Sequence, residues 1–244
     1  MAGTAVRGRL TWQTATVGSI VDETATVRTL SLELPDWAGH RAGQHLDIRL
    51  TADDGYQAER SYSIASAPGE PLAITVERLA DGEVSPYLTQ EVRAGDQMEV
   101  RGPIGNWFTW GPRDGGPLLL IAGGSGVVPL RAILRHRQRT GSGVPARLLY
   151  SSRTIEDVIY RRELDQYRES AEVRYTLTRR QPPGWDGFAG RVDDAMLARI
   201  AWPAAERPLA FICGPTPFVE AVAELLVARH YPESRVKTER FGGA

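Results

Sequence analysis

The sequence predicts two domains, an N-terminal antiparallel β-barrel over residues 1–113 and a C-terminal doubly wound α/β domain with a parallel sheet over residues 114–244. Three observations predict this. Short runs of alternating or β-branched residues recur through the first half, separated by Gly, Pro and Asp, as in antiparallel barrels. The second half alternates apolar strand-like runs with helix-length patterns, the rhythm of a parallel sheet covered on both faces. Between them, Trp110-Gly-Pro-Arg-Asp-Gly-Gly-Pro117 concentrates turn formers at the boundary.

The barrel strands are expected at Thr14–Val21, Thr26–Leu34, His45–Thr51, Arg60–Ser66, Leu72–Arg78 and Gln97–Gly102. A short helix interrupts them at Ser85-Pro-Tyr-Leu-Thr-Gln-Glu91, where Ser is a good N-cap and Pro fits the first helical position. In the second half Leu118–Ala122, Arg147–Tyr150, Val173–Thr178, Leu209–Ile212 and Arg235–Glu239 read as strands. Helical patterns fall at Val127–Arg139, Glu156–Glu169, Asp194–Ile200 and Phe218–His230.

Composition narrows the function classes. The 244 residues carry a net charge of −1, with no global pull toward nucleic acid or a membrane surface. The halves differ: 10 basic against 15 acidic residues up to Arg113, then 19 against 15, a basic balance that suits a phosphate-rich ligand in the second half. Lys237 is the only lysine, so a GC-rich coding sequence that favours Arg is the more economical explanation of the imbalance. Cys213 is the only cysteine, which excludes an internal disulfide, a Cys₄ cluster or a thiolate zinc site within these residues. No metal site is expected. No apolar leader core and no run approaching ~18 apolar residues is visible, so a cytoplasmic location is the default expectation.

In Leu118-Leu-Leu-Ile-Ala-Gly-Gly-Ser-Gly-Val-Val-Pro-Leu130 an apolar strand runs through glycines into a helix. Glycines let the backbone approach a pyrophosphate, whose charge then meets the helix N-terminus. Gly123, Gly124, Ser125 and Gly126 are the candidate loop, with Pro129 where a third motif glycine would stand; a tight turn without ligand is the alternative. An NAD-type site usually carries a carboxylate at the next strand end, for the ribose 2′-hydroxyl. Here that strand end reads Ser151-Ser152-Arg153-Thr154, hydroxyls beside a cation, which suits the 2′-phosphate of NADPH and leaves NADH possible. Arg161 and Arg162 are second candidates, Arg179 and Arg180 weaker ones, and solvated surface arginines are the alternative. Cys213-Gly214-Pro215 again follows a strand and precedes a helix, at the carboxyl edge where open α/β sheets bind ligands. A shaping role near a nicotinamide, or simple core packing, fits Cys213; no histidine is near it in sequence to activate a nucleophile.

Arg60-Ser-Tyr-Ser63 resembles the R-x-Y-S flavin motif of the ferredoxin–NADP⁺ reductase superfamily. Gly123–Gly126 with Pro129, Cys213–Pro215 and the ending Glu239-Arg-Phe-Gly242 resemble that family in the same order, over essentially the whole chain. The resemblance is greatest to stand-alone reductases and oxygenase reductase modules without an iron–sulfur domain. It implies that Arg60 holds the flavin pyrophosphate, Tyr62 packs on the flavin and the Ser63 hydroxyl reaches N5. Arg suits that duty because its planar fork pairs two phosphate oxygens and stays charged. Gly82-Glu-Val84-Ser85 resembles the family's phosphate turn and favours FAD over FMN, with Ser85 also able to act as a helix cap. Thr75 and Val76 lie on a strand resembling the one beside the ribityl and adenosine. Phe241 matches a terminal aromatic near the ring, and Glu239 a tuning group for hydride transfer.

The implied function is an FAD-dependent NADPH oxidoreductase, with Ser63, Cys213 and Glu239 at the hydride site. Its implied acceptor is a ferredoxin or another one-electron redox protein, and a monomer is the default. Two alternatives stand beside it: a free-flavin or quinone reductase, and a non-catalytic binding subunit on the same fold.

Overall fold

A computed structural model describes residues 10–167 and 170–241. The first sheet has six strands: β1 Gln13–Thr24, β2 Val27–Glu33, β3 His45–Thr51, β4 Gln57–Ser63, β5 Ala73–Glu77 and β6 Gln97–Ile104. Every pairing is antiparallel, in the order β4-β3-β6-β1-β2-β5. An antiparallel bridge between Ile64 and Ile74 joins the ends of that order, closing the sheet on itself. Alternate residues point inward, so Leu30, Leu46, Ile48, Ile64, Ile74, Val76 and Val100 fill the interior. Leu88 joins them from a π-helical turn, Tyr87–Glu91, that follows Ser85 and Pro86.

The second sheet is all parallel: β7 Leu118–Gly123, β8 Ala146–Ser152, β9 Glu172–Leu177, β10 Phe188–Ala189, β11 Leu209–Pro215 and β12 Val236–Phe241. Its order is β10-β9-β8-β7-β11-β12. Helices α1 Val127–Arg139, α2 Arg161–Gln166, α3 Asp194–Ile200 and α4 Thr216–Ala228 cover it. β7 is buried on both faces: Leu118 and Leu120 join one apolar cluster, Leu119 and Ile121 the other. That is why its sequence is a continuous apolar run rather than an alternating one. The chain leaves β7 toward β8 on one side and returns on the other through β11. The carboxyl ends of β7 and β11 therefore flank the switch point where ligands of such sheets bind.

The expected elements are present, with four differences. The Arg60 strand begins at Gln57 and ends at Ser63, because the chain turns away to bridge β5. The helix expected at Glu156–Glu169 is described only over Arg161–Gln166, and Glu169 lies outside the described residues. Asp157 instead closes a turn on the Thr154 amide and hydroxyl, and Tyr160 adopts φ +58°, so no regular helix starts before Arg161. β10, two residues long, was too short to leave a pattern in the sequence. β11 and β12 run on to Pro215 and Phe241, beyond the expected ends at Ile212 and Glu239, which puts Cys213 and Phe241 inside paired strands.

Candidate functional site

Glycines allow the first half of the site to form. A Cβ on Gly126 would lie 2.1 Å from the Cys213 carbonyl oxygen, so the turn after β7 and the end of β11 touch backbone to backbone. Gly124 has φ +56°, the left-handed region that glycine enters without penalty. Phe218, on the first turn of α4, packs against the positions a Cβ of Gly123 or Gly214 would take, 2.8 and 2.7 Å away. Ser125 is half-buried, and Gly126 and Pro129 are buried beneath the turn.

Above these strand ends lies a cleft of about 500 Å³ that reaches across to the barrel. Gly123, Gly124, Ser151, Ser152, Arg153, Pro215 and Phe241, all singled out from the sequence, line it together. Phe218, Arg191, Asp157 and Glu77 line it as well, and sequence reasoning missed them. Glu77 ends β5 of the barrel, and its Oε1 pairs with the Arg153 guanidinium at 3.0 Å. Arg161 is exposed at the start of α2 and is not among the lining residues; Arg180 pairs with Glu156 at 3.1 Å.

The second half lies on the barrel. Arg60 is exposed on β4 and pairs with Glu83 at 2.8 Å. Tyr56 donates its hydroxyl to the same carboxylate at 2.7 Å. The cationic strand residue and the Gly82–Ser85 turn are thus neighbours, joined through Glu83. Ser85 is buried and its Oγ accepts the Leu79 amide at 3.1 Å, so it organises the turn from within. Val76 and Val84 belong to the barrel core. Thr75 is buried, bonded to the Thr29 hydroxyl at 2.8 Å and to the Tyr160 hydroxyl of the α/β domain. These three residues therefore leave their backbone, not their side chains, to face a ligand. Tyr62 is half-buried against the barrel core, and burial pushes its phenol well above the ordinary range, keeping it neutral.

The halves meet at a line of four residues. Ser63 on β4 is the register partner of His45 on β3. His45 Nδ1 lies 3.5 Å from Glu239 Oε1 on β12. Glu239 in turn is the register partner of Cys213 on β11. The three residues expected at the hydride site are linked through His45, which sequence reasoning missed. Burial, and then the Glu239 carboxylate, push the Cys213 thiol well up, which favours its neutral, packed form. Glu239 Oε2 is buried with no hydrogen-bond partner, the kind of group a bound ligand satisfies. Among the described residues no group of three or more His, Cys, Asp or Glu could hold a metal ion. Among the same residues no helix is long and apolar enough to cross a membrane.

Comparison with known proteins agrees with this architecture. Residues 14–109 match the oxidoreductase FAD-binding domain and residues 120–224 the oxidoreductase NAD-binding domain. Ferredoxin–NADP reductase B of Sorangium cellulosum is 36% identical over 226 residues, covering 88% of this chain and 91% of that protein. The glycine betaine monooxygenase reductase subunit of Chromohalobacter salexigens is 34% identical over 233 residues, covering 91% of this chain. This chain spans 62% of that relative's length. Among solved structures, the flavohem-like FAD/NAD-binding domain of a Vibrio cholerae nitric oxide dioxygenase superposes with TM-score 0.84 at 25% identity, over 95% of this chain and 99% of that one. With its two cofactor domains matched in order and a relative aligned along nearly its whole length, the chain belongs to the ferredoxin–NADP⁺ reductase superfamily of NAD(P)H-dependent flavoprotein oxidoreductases.

Proposed function

We propose that this chain is an FAD-dependent NADPH oxidoreductase that hands electrons to a one-electron acceptor, a ferredoxin or an oxygenase component, in the cytoplasm. Residues 1–113 hold the FAD and residues 114–244 the coenzyme. The observation that carries the reading is the line Ser63–His45–Glu239–Cys213 at the junction, with one buried carboxylate oxygen of Glu239 unpartnered. Relatives named as reductase subunits of monooxygenases support the acceptor class.

The residues fit FAD. Arg60 offers a charged fork for the pyrophosphate, and the adjoining Gly82–Ser85 turn supports a dinucleotide over FMN. Bound there, FAD supplies acceptance of a hydride from the nicotinamide and release of electrons one at a time. The chain's own part is orientation. Tyr62 offers an apolar ring face, and the Ser63 hydroxyl at the end of β4 is a donor for the flavin nitrogen that receives the hydride. Cys213, buried and neutral, shapes the floor on which the nicotinamide lies. Glu239 would accept a hydrogen bond from a bound polar group at its unpartnered oxygen. Ser151, Ser152 and Arg153 support NADPH at the adenosine end, with Arg153 the group for its 2′-phosphate.

The test is the anaerobic visible spectrum of the FAD-loaded protein mixed with NADPH or with NADH. Faster bleaching by NADPH is expected, and Ser63→Ala is expected to slow bleaching while FAD stays bound. Faster bleaching by NADH would overturn the coenzyme assignment. A protein that cannot be loaded with FAD would overturn the enzyme reading in favour of a binding subunit.

A further inference from the structure

The charge that faces Arg153 comes from the other domain. Glu77 is the last residue of β5, and its Oε1 holds the Arg153 guanidinium at 3.0 Å. Its second oxygen lies 3.8 Å from where a Cβ on Gly124 would stand. The carboxylate therefore sits between the arginine at the end of β8 and the glycine turn after β7, inside the cleft both line. These are the elements proposed above for the 2′-phosphate and the pyrophosphate. Glu77 is well anchored there. Thr75, two residues earlier and so on the same face of β5, is bonded to the Tyr160 hydroxyl of the α/β domain.

An anion in a seat built for phosphate has two effects. It satisfies Arg153 while the seat is empty, so a 2′-phosphate must displace it before pairing with the guanidinium. It also opposes that phosphate by like-charge repulsion in a cleft where the Glu77 side chain is only 19% exposed. A ribose 2′-hydroxyl meets neither obstacle, because a carboxylate accepts its hydrogen bond directly. The carboxylate that NAD-type sites carry at the strand end is absent from Ser151–Arg153 and is supplied here across the domain gap.

We infer that Glu77 is a coenzyme-specificity residue, opposing Arg153 from the barrel so that the pair, one residue from each domain, sets the balance between NADPH and NADH. This rests on the reading of Arg153 as the 2′-phosphate group. The test is calorimetric titration of the FAD-loaded full chain with 2′,5′-ADP and with 5′-ADP, fragments that bind without redox chemistry. Glu77→Gln keeps the shape and removes the charge. It is expected to tighten 2′,5′-ADP about tenfold and to leave 5′-ADP within about twofold. Glu77→Ala, which also frees Arg153, is expected to act in the same direction. Equal changes for both fragments, or no change, would overturn the inference, provided Arg153→Ala weakens 2′,5′-ADP selectively. If Arg153→Ala affects both fragments equally, the 2′-phosphate reading of Arg153 itself fails, and this inference with it.

Discussion

His45 and Glu239 face each other across the domain junction, Nδ1 to Oε1 at 3.5 Å. Gly105, at φ +94°, packs beside the imidazole, and a Cβ there would lie 3.4 Å from Nδ1. Gln44 donates to the Gly105 carbonyl at 2.7 Å, holding the loop after β6 against the ring. The histidine is therefore fixed from the barrel side, and it fixes Glu239 in turn. His45→Phe should roughly preserve ring volume while taking the polar neighbour of Glu239 Oε1 away. We expect FAD to stay bound and anaerobic flavin reduction to slow about tenfold, the order of cost of a misplaced group at a reaction site. An unchanged reduction rate in stopped-flow would remove His45 from the positioning of Glu239.

Gly126→Ala tests the contact between the two strand-end turns. The new methyl would stand 2.1 Å from the Cys213 carbonyl oxygen and 2.4 Å from its carbon, both backbone atoms that cannot rotate aside. The turns must separate, and the floor of the cleft with them. A loss of about 2 kcal/mol or more is expected, together with weakened coenzyme binding. Gly141→Ala is the control: φ is +61° but nothing lies within 4 Å, so only backbone strain of about 1 kcal/mol applies. Thermal unfolding and coenzyme titration of both variants check this, and equal effects would refute the contact argument.

The sequence made some parts of this site visible and hid others for a physical reason. The Gly123–Gly126 turn was legible because a fully buried parallel strand must be continuously apolar and must end in glycines to approach another backbone. Arg60, Tyr62 and Ser63 stood out by their motif, and the structure puts them on β4 beside Glu83, the barrel core and His45. His45 and Glu77 were not, because each acquires its meaning from a partner on the other domain, 194 and 76 residues away along the chain. Neither periodicity nor local spacing encodes such a pair. The start of α2 differs from the expectation for a different reason: Glu156–Tyr160 is a weak helix former, and the Asp157 turn and the left-handed Tyr160 hold it out of the helix.

Arg131 is the buried cation that ties the domains together. From α1 it donates to Glu163 through Nε and Nη2, at 2.9 and 2.5 Å, and through Nη1 to the Ala65 carbonyl of the barrel at 3.0 Å. Its guanidinium also lies 4.4 Å from the centre of the Tyr160 ring. Arg131→Met keeps the apolar stem but strips Glu163 of its closest cation and Ala65 of this donor. Arg135, 3.6 Å from Glu163, compensates only in part. Breaking a buried pair from one side costs about 3 kcal/mol. The expected result is a lower unfolding temperature and a flavin-domain transition that separates from that of the α/β domain. A single unshifted transition would show that the apolar contacts alone hold the two domains together.

Cys213 gives the chain an alkaline limit that can be measured apart from catalysis. In the unfolded chain its thiol ionises near pH 8.5. In the folded chain burial, and then the Glu239 carboxylate, hold the proton on well above that value. The folded state thus binds more protons than the unfolded one across this window, so stability falls as pH rises. The contribution is fully present below the unfolded pKa. It then declines at up to about 1.4 kcal/mol per pH unit until the folded thiol itself titrates. Cys213→Ala removes this dependence. The difference in unfolding free energy, wild type minus variant, should fall by about 1.4 kcal/mol between about pH 7.5 and about pH 9.5. Using the difference cancels the other titrating groups common to both proteins. Thiol labelling should agree, with Cys213 reacting in the folded protein only as fast as it opens. A flat difference across that pH range, or rapid labelling of the native protein, would mean that the thiol ionises in the folded site and is open to redox chemistry.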